Sequence, residues 1–105
     1  MIMVTTDMVP GKTIAETFGL VQGTSVRAIH VGQDIGGRMQ NLVGGEVAEY
    51  TKLFAEVREQ CLDRMCAEAK VLGANAIVGV RMTSTEISSG AAELLIYGTA
   101  VRLAD

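Results

Sequence analysis

The chain has 105 residues, of which 49% are hydrophobic but only 4% aromatic, so its apolar content is mainly Val, Ile, Leu, Met and Ala. This length fits a single small domain over residues 1–105, and charged residues at 20% exclude a disordered or fibrous chain. Nine Lys and Arg against twelve Asp and Glu give a net charge of -3, which leaves no basic excess to attract nucleic acid.

Hydropathy and cysteine content indicate the compartment. No apolar run approaches the roughly 18 residues that span a bilayer, and residues 1–6 lack the basic region and cleavage site of a signal peptide. Cys61 and Cys66 lie in one predicted helix, where an intramolecular disulfide is geometrically awkward, so they favour a reducing compartment. We therefore expect a cytoplasmic protein that binds neither membranes nor nucleic acid.

The first 45 residues combine extended segments with a glycine-rich stretch. A short apolar run over residues 2–5 stops before Pro10-Gly11, the strongest turn signal in the chain. Alternation predicts strands over 13–21 and 25–30, joined by a hairpin turn at 22–24. Five glycines between residues 32 and 45 then flank a predicted short helix over 38–43, which implies tight turns or close backbone contacts.

Residues 46–72 form the clearest predicted element, a long helix. This stretch contains no Gly or Pro and is followed by Gly73, a helix-ending residue. At 1.5 Å per residue the helix would be about 40 Å long. Apolar residues at three- and four-residue steps predict one buried stripe, made of Val47, Tyr50, Phe54, Val57, Cys61, Met65, Ala69 and Leu72.

The last two predicted strands, 75–85 and 94–103, are apolar on both faces. A turn at 88–91 separates them, and in the second strand Leu95 and Tyr97 point away from Leu94 and Ile96. One helix covers only one face of a small sheet. We therefore expect the other face to be covered by a second copy of the chain, in a symmetric homo-oligomer.

Several blocks along the chain resemble the YbjQ-like family. The similar blocks are Thr5-Thr6, Pro10-Gly11, Val21-Gln22-Gly23, Val43-Gly44-Gly45, Leu72-Gly73-Ala74-Asn75-Ala76-Ile77-Val78-Gly79-Val80 and Gly98-Thr99-Ala100-Val101. The resemblance implies an α+β protomer, with a small, mostly antiparallel sheet packed on one long helix. It further implies a ring-shaped homo-oligomer, commonly a pentamer, and the family carries heavy-metal binding as a provisional label. Family members usually have Arg-Asp before the Val-Gly-Gly block and Arg after it. Here those positions are Gln40, Asn41 and Glu46, so no anion site is carried over.

The spacing of the cysteines limits which residues could bind a metal ion together. Two ligands on one helix face the same ion when they are three or four residues apart. Cys61 and Cys66 are five apart, about 140° around a regular helix, so they cannot chelate one ion. A site between subunits stays open, with His30 and Cys61 as weak candidates. The six methionines are interpreted as packing residues rather than copper ligands.

His30 is the single imidazole of the chain and ends a predicted strand just before the glycine-rich stretch. It can pair with Asp34 in acid–base chemistry, but a solvated histidine with Asp34 as a helix cap is the simpler interpretation.

Three functional hypotheses follow. The first is a non-catalytic oligomeric module that binds a small ligand between subunits, near His30, Asp34, Gly44 and Gly45. The second is a metal-binding protein with an inter-subunit site, built from His30, Asp34 and possibly a cysteine. The third is a small hydrolase or isomerase that uses His30 and Asp34. The sequence identifies no cofactor.

Overall fold

The computed structural model describes residues 1–28, 45–88 and 91–104, which form a four-stranded sheet with one helix on one face. The elements are β1 (Ile2–Met3), β2 (Thr13–Ala28), α1 (Gly45–Val71), β3 (Ala76–Ser88) and β4 (Ala91–Ala104). The strand order is β1-β3-β4-β2, in which β1 is parallel to β3 and the other pairings are antiparallel. The predicted α+β class, with a mostly antiparallel sheet packed on one long helix, is confirmed.

Strand β2 is one continuous strand of 16 residues, so the hairpin turn predicted at 22–24 is wrong. Residues 22–24 pair in unbroken register with residues 95–97 of β4. The glycine that suggested a turn instead permits close packing, because a Cβ atom at Gly23 would overlap the backbone carbonyl of Cys61 on α1. The predicted short helix at 38–43 and residues 29 and 30 of the predicted strand lie outside the described residues.

Helix α1 begins and ends one residue earlier than predicted. Its end is a Schellman motif: the N–H of Ala74 donates to the carbonyl of Ala69, and the N–H of Gly73 to that of Lys70. Gly73 has φ +90, a left-handed conformation that favours glycine. Four residues of the predicted stripe are buried, namely Val57, Cys61, Met65 and Ala69. Leu72, beyond the helix end, is 43% exposed, so the stripe ends earlier than predicted. The side chains of Val47 and Tyr50 lie outside the described part of the structure.

The predicted strands 75–85 and 94–103 are both present and are longer at the ends that face each other. β3 continues to Ser88 and β4 starts at Ala91. The added residues are mostly small or polar and therefore lack a strong alternation of hydrophobicity. Cross-strand pairing, such as that of Glu86 with Ala92, extends the ladder here.

Apolar residues cover both faces of the sheet, in two clusters. The larger one, between α1 and the sheet, includes Val21, Met65, Ile77 and Ile96, all fully buried. The smaller one lies on the opposite face and contains Ala76, Val78, Val101 and Leu103, with Val4 and Val9 packed against it. The chain's own N-terminal segment therefore covers one end of the face that we expected a second copy to cover, and that expectation is corrected for this end.

Candidate functional site

A groove runs between α1 and the helix-facing side of β3. Helix α1 contacts β2 most extensively, β4 less and β3 least, so part of β3 is not covered by the helix. The groove has a volume of about 420 Å³. Its lining comes from one end of β2, the first half of α1, and the adjoining parts of β3 and β4: Arg27, Phe54, Val57, Arg58, Met82, Ser84, Thr85, Glu86, Ala92, Glu93 and Leu94.

The register of the sheet determines which side chains form the groove floor. Ala92 of β4 pairs with Arg27 on one side and with Glu86 on the other, which places a cation and an anion on opposite sides of a small residue. Two residues along β4, Leu94 pairs with Ser84 of β3. Because side chains two residues apart lie on one face, these rows form a floor that is apolar in the middle and polar at its edges.

Some of the charged side chains around the groove already have partners. Nη2 of Arg27 donates to Oε1 of Gln60 at 2.9 Å, and Oγ of Ser25 donates to the same oxygen at 2.8 Å. The side chain of Glu93, between Ala92 and Leu94 on β4, lies on the opposite face of the sheet and accepts a hydrogen bond from Thr24 at 3.2 Å. Within residues 1–28, 45–88 and 91–104, no hydrogen bond or ion pair engages the side chains that remain, those of Arg58 and Glu86.

The groove therefore has an apolar wall, formed by Phe54 and Val57. It also has one guanidinium and one carboxylate that are available to a ligand. Such a combination, an apolar surface with a few polar groups that fix orientation, is typical of sites for small amphipathic molecules. A charge-assisted hydrogen bond from Arg58 would hold an anionic group of the ligand.

The structure does not test the predicted ligand site. His30, Asp34 and Gly44 lie outside the described residues, and Gly45 is the first residue of α1.

Sequence reasoning missed the charged residues of the groove. Neither Arg58, within the predicted helix, nor Glu86, directly after the predicted strand 75–85, was among the predicted site residues. They line one groove through the packing of α1 on the sheet and the β3–β4 register, neither of which a single sequence displays.

Cys61, a weak candidate for metal binding, is a poor ligand in this structure. Its side chain is fully buried and its thiol donates to the carbonyl of Leu94 at 3.5 Å. Burial raises the pKa of the Cys61 thiol above its ordinary value, although Arg64 and Arg27 favour the thiolate. Metals bind the thiolate, so a buried neutral thiol is unfavourable. Within the described parts of the chain, no group of three His, Cys, Asp or Glu residues could hold a metal ion.

The two cysteines should differ strongly in reactivity. Cys66 is partly exposed whereas Cys61 is fully buried with a raised pKa, and alkylation requires an accessible thiolate. We expect iodoacetamide at neutral pH to modify Cys66 in the folded protein and Cys61 only after unfolding in guanidinium chloride. Peptide mass spectrometry after timed quenching measures both sites. Equal rates at the two cysteines in the folded protein would contradict the packing of Cys61 against β4.

Comparison with known proteins shows the family. The sequence model of the YbjQ family, described as "Putative heavy-metal-binding", matches residues 1–104. The chain belongs to the YbjQ-like family. Similar proteins, each named UPF0145 protein, include one from Archaeoglobus fulgidus that is 53% identical over 102 residues, or 97% of this chain and 94% of the relative. Another, from Clostridioides difficile, is 48% identical over 105 residues, or 100% of this chain and 94% of the relative.

A solved structure shows the same fold as this YbjQ-like chain. It is a DUF74-family protein of unknown function from Pediococcus pentosaceus, with a TM-score of 0.66 and 17% sequence identity. The match covers 99% of this chain and 98% of that one. Among the described residues of the YbjQ-like chain, no helix has the length and apolar character needed to cross a membrane.

Proposed function

We propose that this YbjQ-like chain is a non-catalytic module that forms a ring-shaped homo-oligomer and binds a small ligand near its subunit contacts. The observation that carries the proposal is a set of exposed apolar residues on the sheet face away from α1. Leu20 is 68% exposed, Val26 53% and Tyr97 36%, and Leu95 lies among them. We call these four residues the outer patch.

The outer patch lies beyond the part of the face that the N-terminal segment covers. Val4 and Val9 pack on the cluster at one end of the sheet, and the outer patch is not part of that cluster. Exposed apolar side chains grouped on one face favour contact with another protein surface. A second copy of the chain is the simplest partner, since it is present wherever the protein is.

The edges of the sheet support a ring rather than a closed dimer. Among the described strands, β2 forms one edge of the sheet over its whole length. On the other edge, backbone hydrogen bonds from the N-terminal segment reach only as far as Val80 of β3. In the described parts of the chain, residues 81–88 therefore pair with β4 on one side and have no strand on the other. Two different edges can pair head to tail between copies, and such a contact closes into a ring when the rotation allows. The family resemblance makes five the expected number of subunits.

The groove supports the ligand part of the proposal. It lies on the opposite side of the sheet from the outer patch, beside residues 81–88 of β3, the edge segment proposed to meet the next subunit. A ligand with an apolar body and an anionic group would pack on Phe54 and Val57 and bind the guanidinium of Arg58.

Native mass spectrometry of gently purified, untagged protein tests this proposal. We expect a single species of five times the chain mass, and a mass excess that repeats once per subunit if the ligand is retained. Arg58→Ala should keep the assembly and lose the excess, whereas Lys70→Ala, a helix cation outside the groove lining, should keep both. A stable monomer at micromolar concentration would overturn the assembly.

A metal site between subunits is the second candidate, favoured by the family description. His30 and Asp34 remain its candidate ligands, because burial counts against Cys61. Metal analysis after mild purification, and thermal shifts on adding zinc, copper or nickel, test it. His30→Ala should abolish a genuine shift, and an unchanged shift would place the metal elsewhere.

A further inference from the structure

Two sulfur atoms from distant parts of the chain meet at the surface of the protein. The thiol of Cys66, on α1, donates to Sδ of Met3, on β1, with the two sulfurs 3.3 Å apart. Cys66 is partly buried and Met3 is 38% exposed, so the pair is accessible to solvent.

The register of β1 explains the contact. Met3 pairs with Ile77, whose side chain is buried beneath α1, so Met3 lies on the helix-facing side of the sheet. Sequence analysis interpreted all six methionines as packing residues, but the sulfur of Met3, 63 residues from Cys66 in sequence, lies against its thiol.

We propose that Cys66 and Met3 form a Cu(I) site within one chain. Thiolate and thioether sulfurs are soft donors that select Cu(I) over harder cations. The ion takes the place of the thiol proton: a Cys66 sulfur–copper bond forms, the S–H bond breaks, H⁺ leaves to solvent and Met3 Sδ donates a lone pair. Copper stays Cu(I) throughout.

The geometry of the pair suits a soft ion of low coordination number. With metal–sulfur bonds of about 2.3 Å, a linear arrangement needs the two sulfurs about 4.6 Å apart. The three rotatable bonds of an exposed methionine allow that separation. Zinc instead requires about four ligands, and within the described residues no third His, Cys, Asp or Glu accompanies Cys66.

Cys61 serves as an internal control for copper binding by Cys66. It is the other thiol of the chain, but it is fully buried and donates to a backbone carbonyl. Met8 is a matched control for Met3, because it is 65% exposed in the same N-terminal segment and has no sulfur contact among the described residues. Both sulfurs of the proposed site belong to one chain, so the inference is independent of the proposed assembly.

Competition with a chromogenic Cu(I) chelator, bicinchoninate, tests the site under anaerobic, reducing conditions. We expect the wild-type protein to withdraw one equivalent of Cu(I) per chain, and Cys66→Ser to withdraw none. Met3→Leu should weaken the affinity about tenfold or more, since loss even of an outer-shell partner of a metal site has an effect of this size. Cys61→Ala and Met8→Leu should behave as the wild type.

Circular dichroism of each variant, and native mass spectra with Ag(I) in place of Cu(I), separate loss of the site from loss of the fold. The site is overturned if folded Cys66→Ser still withdraws copper, if Met3→Leu matches Met8→Leu, or if the wild type withdraws none. Native spectra of the same samples report the oligomeric state separately. A ring that takes up no silver would refute the metal site alone, and a monomer that binds one silver ion would refute the ring alone.

Discussion

Gly23→Ala is expected to destabilise the protein by about 3 kcal/mol or more, enough to unfold a small domain in large part. The added Cβ would overlap the backbone carbonyl of Cys61 and crowd the backbone N–H of Met65 on α1. Backbone atoms cannot rotate away as a side-chain end can, so the helix must lift from the sheet. The buried cluster around Met65 and Ile96 would then lose its close packing.

Denaturant unfolding followed by circular dichroism measures the effect of Gly23→Ala. Gln22→Ala is the matched control, because the neighbouring side chain is exposed and faces away from the helix, and its effect should stay within about 0.5 kcal/mol. Gly98→Ala should be intermediate, since the first contact of its new Cβ is the side-chain methyl Cγ2 of Ile77, at 2.7 Å. Equal stability of Gly23→Ala and Gln22→Ala would contradict the close approach of α1 to β2.

Leu20→Lys combined with Val26→Lys is expected to dissociate the proposed ring while leaving the chain folded. Both side chains are more than half exposed in the single chain, so their replacement removes little from its core. At a subunit contact, each loses about 1.5–3 kcal/mol of apolar burial and adds a desolvated charge. The dissociation constant should therefore rise by about a hundredfold or more.

Light scattering after gel filtration, over a range of concentrations, measures this dissociation. Val71→Lys is the matched control: Val71 is 87% exposed but lies at the end of α1, outside the outer patch. We expect that variant to remain assembled. An unchanged mass for the double variant, with an unchanged circular dichroism spectrum, would move the subunit contact away from the outer patch.

Local sequence signals were sufficient for most of the elements. Residues 46–72 have helix-forming composition, one apolar stripe and a terminal glycine, and the observed helix differs by a single residue at each end. The hairpin at 22–24 was wrong because a glycine that reverses the chain and a glycine that admits a neighbouring backbone look alike in sequence. The residue that distinguishes the two roles, Cys61, is 38 positions away.

Local sequence patterns could not predict the candidate sites, because their residues are distant in sequence. Arg58 and Glu86 are 28 residues apart in sequence and line one groove only because the packing of α1 and the β3–β4 register bring them together. Met3 and Cys66 meet because a parallel β1–β3 pairing carries the N-terminal strand beneath the helix.

The sequence by itself determined the α+β class, the long helix, the last two strands and the family, because each depends on composition, periodicity or motifs within a continuous stretch. Only the tertiary structure decided that β2 is a single strand, that the N-terminal segment covers part of the second sheet face, and which polar and sulfur groups become neighbours. Those features depend on strand register and helix placement, which the packing of the whole chain determines.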